Sequence, residues 1–258
     1  MSDTTPKRPG GDYAGEGLPH IDVNERGAAK EGQPQTLDRR LFMQLMVFTC
    51  AEPANVPDLA ARGGGAIEAR GAPVVVYEDV NDPRGVGVLT WSEDPALFVT
   101  AVRPALVEVT SPKLVLRPEM TMLGRTYSTG FEPDLAFWLL ERPRDTVLNT
   151  AWPWAVWYPL RRSGAFARLE PREQGAILRE HGTIGRAYGA QDLAHDIRLA
   201  CHGLDARDNE FVIGLVGKEL HPLSHIVQAM RKTRQTSEFI SQMGPFFIGR
   251  AAFRGRQR

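Results

Sequence analysis

The chain has 258 residues, enough for one large or two small domains, and a composition ordinary for a globular protein. Its 31 lysines plus arginines equal its 31 aspartates plus glutamates, so no overall field points to nucleic acid or an anionic membrane as partner. Two cysteines, Cys50 and Cys201, are too few for a disulfide framework or a thiolate metal site. A reducing compartment fits them. The polar N-terminus lacks the apolar core of a secretory signal, and no apolar run is long enough to span a bilayer, so a cytoplasmic protein is expected.

Residues 1–38 are rich in glycine, proline and charge, without periodicity, and are predicted to be a flexible arm, mobile or laid across a neighbouring subunit. A first folded half, 39–149, opens with a predicted central strand from Arg40 to Thr49. A short helix follows around Val56 to Arg70. Strands at Pro73 to Tyr77 and Gly85 to Trp91 are joined by Asn81-Asp-Pro-Arg-Gly85, a hairpin signal. A helix is predicted from Asp94 to Thr110 despite Pro104, then a strand and turn from Lys113 to Ser128.

The second half, 150–250, repeats the pattern, and a tail of 251–258 closes the chain. A strand from Trp152 to Leu160 precedes a helix; strands at Asp196 to His202 and Glu210 to Val216 flank a turn at Gly203 to Asp208; a helix from Pro222 to Thr236 and a strand from Gly244 to Gly249 complete it. Both halves read strand, helix, two strands, helix, strand. Two such units can join antiparallel sheets edge to edge and bury both inner faces, which predicts a pseudo-symmetric α+β fold.

The helix from Glu170 to Tyr188 is the most informative stretch. Pro171 suits its first position, and Glu170 and Glu173 place negative charge at the positive end of its dipole. Ile177, His181, Ile184 and Tyr188 then recur at helical spacing, so an imidazole stands in the stripe that faces the core. Gly182 and Gly185 each cost the helix about 1 kcal/mol relative to alanine. Gly185 lies one turn beyond His181 and clears a flat space beside the ring. Two readings stay open: a core histidine satisfied by a protein hydrogen bond, or the ligand of a planar macrocycle bonded through its metal.

Four runs in order, Tyr158-Pro-Leu, His181-Gly-Thr-Ile-Gly-Arg186, Gly203-Leu-Asp205 and Met243-Gly-Pro-Phe-Phe-Ile-Gly249, resemble the haem-binding chlorite dismutase superfamily. The nearest likeness is to the branch of peroxide-dependent coproheme decarboxylases. It covers about Ala151 to Arg250; over the first half only the order of elements agrees. The resemblance implies a dimeric α+β barrel of two ferredoxin-like halves, assembled as a homopentamer, with haem b or coproheme in the C-terminal half and iron on His181.

Further roles follow only from that likeness. An axial histidine should give its other N–H to a fixed acceptor. The family's acidic residue for this task falls here near Arg234 or Gln235, with Glu238 a turn later. Tyr158 matches a tyrosine that is oxidised and takes a hydrogen atom from a propionate. Leu160 stands where one branch has methionine, and Phe166 where tryptophan is common. Arg144 lies at the distance of a propionate-gripping arginine, and Arg161 and Arg162 are further candidates, since the guanidinium fork suits a carboxylate.

For the opposite side of the haem, counting from His181 gives Ala194 and counting back from Gly203 gives Asp196. In a strand Ala194, Asp196, Arg198, Ala200 and His202 share a face. Arg198 and His202 thereby become candidates, the former as a stabiliser of bound oxyanions and Asp196 as a proton acceptor for peroxide; the plain alternative is a salt-bridged outer strand. The expected function is a haem-dependent oxidoreductase using hydrogen peroxide or another small oxidant, with oxidative decarboxylation of coproheme as the specific expectation. A haem b peroxidase acting on a separate small molecule and a non-catalytic haem carrier or sensor are the alternatives.

Overall fold

The computed structural model describes residues 18–51, 56–110 and 114–255. Regular structure begins inside the stretch expected to be a flexible arm. Glu25–Lys30 (β1) and Gln33–Leu37 (β2) form an antiparallel hairpin. Glu31 and Gly32 between them take φ of 53° and 78°, as the tight hairpin turn requires. Few apolar side chains hold it. The Gln35 amide instead donates to the carbonyls of Ala28 (2.6 Å), Glu132 (3.2 Å) and Pro133 (3.1 Å) and accepts from Leu135 N–H (3.1 Å). The Glu25 carboxylate takes up Arg125 and Ser128. At least this part of the arm lies on its own chain.

Phe42–Cys50 (β3) alternates as expected: Met43, Leu45 and Val47 are buried on one face, Phe48 and Cys50 on the other. Val56–Ala69 (α1), Val74–Asp79 (β4) and Gly85–Ser92 (β5) follow. The helix expected from Asp94 begins later, as a π-helical turn at Phe98–Val102 that leads into Arg103–Thr110 (α2). Pro104 has no N–H to give the carbonyl four residues back, so the regular ladder cannot run through it. Leu114–Leu116 (β6) and Met122–Thr126 (β7) complete the first set.

The sequence reading has no helix at the end of the first half, nor the short one at Gly164–Ala167. Phe137–Glu141 is a second π-helical turn, again leading into an Arg-Pro pair, at the start of Arg142–Leu148 (α3). The second set comprises Trp154–Arg162 (β8), the short Gly164–Ala167 (α4), Pro171–Ala190 (α5), His195–Ala200 (β9), Phe211–Gly217 (β10), Leu220–Met230 (α6), Ile240–Met243 (β11) and Phe247–Arg254 (β12).

All pairings are antiparallel, and they return to their start: β7–β3–β5–β4–β12–β8–β10–β9–β7. The path is internally symmetric. β3 and β8 are the central strands of the two halves, and the halves meet where β4 pairs with β12 and β9 with β7. The tail expected from 251 is therefore a joint: Phe253 lies opposite Val76 and Arg254 opposite Val75.

Inside the ring one apolar cluster draws on both halves, with Met43, Leu89, Tyr77, Trp157, Ile197 and Phe247 all buried. Large rings fit because small residues face them. A Cβ on Gly214 would stand 2.6 Å from the Trp157 ring, and one on Gly87 2.4 Å from Phe247. On the outer faces, α1 and α2 cover the first half and α5 and α6 the second. Among the described residues no helix is long and apolar enough to cross a membrane.

Candidate functional site

The outer face of the second half is built from three strands in register. Tyr158 on β8 lies opposite Ile213 on β10, which lies opposite Arg198 on β9; the neighbouring rows are Val156–Leu215–Asp196 and Leu160–Phe211–Ala200. The alternate residues, Trp157, Val212, Ile197 and Leu199, point into the ring interior. Ala194, Tyr158 and Leu160 are buried on the outer wall, so the strand phase expected for Ala194, Asp196 and Arg198 is the one observed.

Over this wall runs α5. Its inward stripe of Ile177, His181, Ile184, Gly185 and Tyr188 is covered less than a packed helix face should be: only Ile177 is buried. A Cβ on Gly185 would meet nothing nearer than the Met230 methyl at 3.7 Å. Ile213 and Phe211, in the middle of the wall and flanked on both sides, are likewise only half-buried. Helix face and wall are thus both left partly uncovered.

His181 is oriented from behind. Its Nδ1 lies 3.3 Å from Thr233 Oγ1, and that hydroxyl gives its own hydrogen to the Met230 carbonyl at 2.7 Å. The hydroxyl oxygen is left as acceptor, so Nδ1 carries the proton and Nε2 presents a lone pair. Burial, and then the positive charge of Arg198, push the imidazole below its ordinary pKa, which keeps it neutral. This is the state a metal ligand needs. Glu238, the acidic residue anticipated here, is bound to Arg234 at 2.9 Å, and Arg234 also holds Glu173.

Across from His181, charge is gathered on β9. Arg142, from α3, donates to the Asp196 carbonyl (2.6 Å) and to its Oδ1 (2.8 Å), while Arg198 Nε lies 3.2 Å from Asp196 Oδ2. Arg198 NH2 is 4.0 Å from Glu132, which is buried. Burial raises the Asp196 pKa, but Arg142 and Arg198 outweigh it and hold the carboxylate below its usual range. Trp138 lies under the Arg142 guanidinium at 4.5 Å. Tyr127, Glu132, Trp138, Arg142 and Arg198 line one small recess at this end. The phenol of Tyr158, stacked 4.6 Å from Phe246, is pushed upward in pKa by burial and by Asp196.

The other anticipated arginines separate. Arg162 shares the face of Tyr158 and Leu160, its guanidinium 4.2 Å from the Phe166 ring and 4.9 Å from Phe211. Arg161, one residue along, is turned to the carbonyls of Arg207 and Asp208 and stays out of the site. Arg144 pairs with its neighbour Asp145; the arginine that α3 sends to the wall is Arg142. Phe166 is buried with Phe239 and Ile177 beneath the start of α5, and His202 is exposed at the wall's edge, 5.3 Å from Phe211. The sequence reading missed Thr233, Arg142, Tyr127 and Glu132. Only the helical spacing of Leu135, Leu139 and Leu140 could have flagged α3 and its arginine.

Fold and site together define an antiparallel α+β protein with two matching halves, whose second half carries a histidine-bearing helix over an incompletely covered wall of sheet. The chlorite dismutase family model matches residues 110–252, more than half of the 258 residues, and the chain belongs to that family. Among curated proteins no sequence matches. Among solved structures, a candidate chlorite dismutase is similar at 14% identity over 83% of this chain and 95% of that one, with a TM-score of 0.67. A haem-binding protein from Thermus thermophilus is similar at 16% identity over 83% and 91%, TM-score 0.62. The chlorite dismutase of Candidatus Nitrospira defluvii in complex with imidazole is similar at 14% over 83% and 92%, TM-score 0.63. At such identities the likeness is one of fold.

Proposed function

We propose that this chain binds haem or coproheme between α5 and the wall, with His181 Nε2 on the iron, and uses hydrogen peroxide to decarboxylate coproheme. The observation that carries the reading is the fixed tautomer of His181: a neutral imidazole whose Nδ1 is engaged by Thr233, which leaves Nε2 as the lone pair, on a partly uncovered helix face one turn from Gly185. The solved haem-binding relative and the family support it.

Bound iron would supply the reduction of peroxide. The chain's part is positional. Arg162, on the same face as Tyr158, supplies a cation for a propionate. Tyr158, kept protonated by burial, gives up the hydrogen of its hydroxyl and regains one from the propionate side chain. For each propionate, R–CH2CH2–COO⁻ + H2O2 + H⁺ gives R–CH=CH2 + CO2 + 2 H2O. Two electrons pass from the side chain to peroxide.

A second reading, peroxidase chemistry with haem b as resident cofactor, is favoured by Arg198, a guanidinium on the wall opposite the histidine that can aid O–O cleavage. Absorbance spectra of the wild type and His181→Ala, loaded separately with haem b and coproheme, test the shared premise. Carbon dioxide release from the coproheme complex on adding peroxide decides between the two. Assembly into a homo-oligomer, a pentamer by family likeness, is proposed alongside, supported by exposed apolar residues such as Leu18, Ile21, Val107 and Val115; light scattering tests it.

A further inference from the structure

We propose that Asp196, locked by Arg142, is a specificity residue: it cancels the charge of Arg198 and makes the wall opposite His181 favour neutral oxidants such as hydrogen peroxide over anionic ones. The inference rests on the haem reading above and deepens it.

Asp196 is not free to act as the proton acceptor anticipated from the sequence. Both of its oxygens are engaged by guanidinium groups, Oδ1 at 2.8 Å from Arg142 and Oδ2 at 3.2 Å from Arg198. Its backbone carbonyl holds Arg142 a second time at 2.6 Å, so the carboxylate and the arginine cannot rotate independently. Arg142 is fixed on its other side by the Trp138 ring. The lock comes from the end of the first half, while the wall it acts on belongs to the second.

Arg198 and Asp196 retain 34% and 33% of their side-chain surface, and they stand in the same rows of the outer wall as Tyr158 and Val156. They therefore belong to the wall over which α5 and His181 run. An unopposed guanidinium there would draw anions. Here the carboxylate beside Arg198, and the buried Glu132 at 4.0 Å from it, offset that pull. At such range the charges interact directly, with solvent screening part of the effect. The neutral ligand feels neither group to first order.

The test uses the full chain loaded with haem b, titrated with sodium fluoride and separately with imidazole, followed by absorbance. Asp196→Asn should tighten fluoride binding by about tenfold or more and change imidazole affinity by less than about twofold. Arg142→Gln, which leaves the carboxylate less compensated, should weaken fluoride binding. Unchanged fluoride affinity in Asp196→Asn, or equal shifts for both ligands in either variant, overturns the proposal. If Asp196→Asn fails to fold, the sign of the Arg142→Gln shift decides alone. Failure of the wild type to take up haem b would instead overturn the haem reading, and this inference with it.

Discussion

His181 is bonded through Nδ1 to the Thr233 hydroxyl at 3.3 Å, and not to any carboxylate. A neutral acceptor fixes the ring yet draws its proton less than an anion would. Thr233→Asp should therefore raise imidazole basicity and lower the midpoint potential of the haem-loaded protein, as spectroelectrochemistry would show. Thr233→Val should leave the part-buried Nδ1–H without its partner and cost about 1 kcal/mol of stability, read from urea unfolding.

Acid should act on the same ring. His181 has its pKa lowered from the ordinary 6.5, so in the unfolded chain it binds a proton at higher pH than in the fold. Its contribution to stability is complete above about 6.5 and is lost as pH falls through that value towards the folded one. Urea midpoints of the cofactor-free wild type should fall between pH 7 and pH 5.5 by more than those of His181→Phe.

Gly185→Ala separates stability from binding. With only Met230 at 3.7 Å from the added methyl, the cofactor-free protein should gain about 1 kcal/mol from helix propensity. Haem uptake should weaken, since the methyl enters the space beside His181. A gain in stability with unchanged haem affinity would place the macrocycle elsewhere.

Gly214→Ala should do the reverse of a silent change. Its methyl would fall 2.6 Å from the Trp157 ring inside the closed sheet, and overpacking of that kind costs about 1–3 kcal/mol. Thermal unfolding of the variant checks it.

Tyr158→Phe should keep coproheme binding, because the ring still stacks on Phe246, and abolish peroxide-driven release of carbon dioxide. Continued release would assign the hydrogen transfer to another residue, with Tyr127 the next phenol along the wall.

Much of this architecture is legible in the chain. The alternation of Met43, Leu45 and Val47 marks β3, and the spacing of Ile177, His181 and Ile184 marks the site face of α5, because both signals are periodic. The strand phase of Asp196 and Arg198 follows the same logic. What stayed hidden is held by single polar contacts. The hairpin of β1 and β2 hangs on the Gln35 amide and the Glu25 carboxylate, groups that look solvated in one dimension. Arg142 and Arg144 differ by two positions on a helix, and only the packing of α3 on β9 selects the first. Thr233 reaches His181 because α6 ends beside α5, which no spacing along the sequence reports.

Closure of the hydrogen-bonded circuit also governs how the molecule can be divided. Severing the chain between Asn149 and Pro153 would leave each fragment with two raw sheet borders and half of a greasy lining. Neither piece should persist as a soluble monomer; co-expressed, they should find one another, and the circuit should re-form around Trp157 and Tyr77.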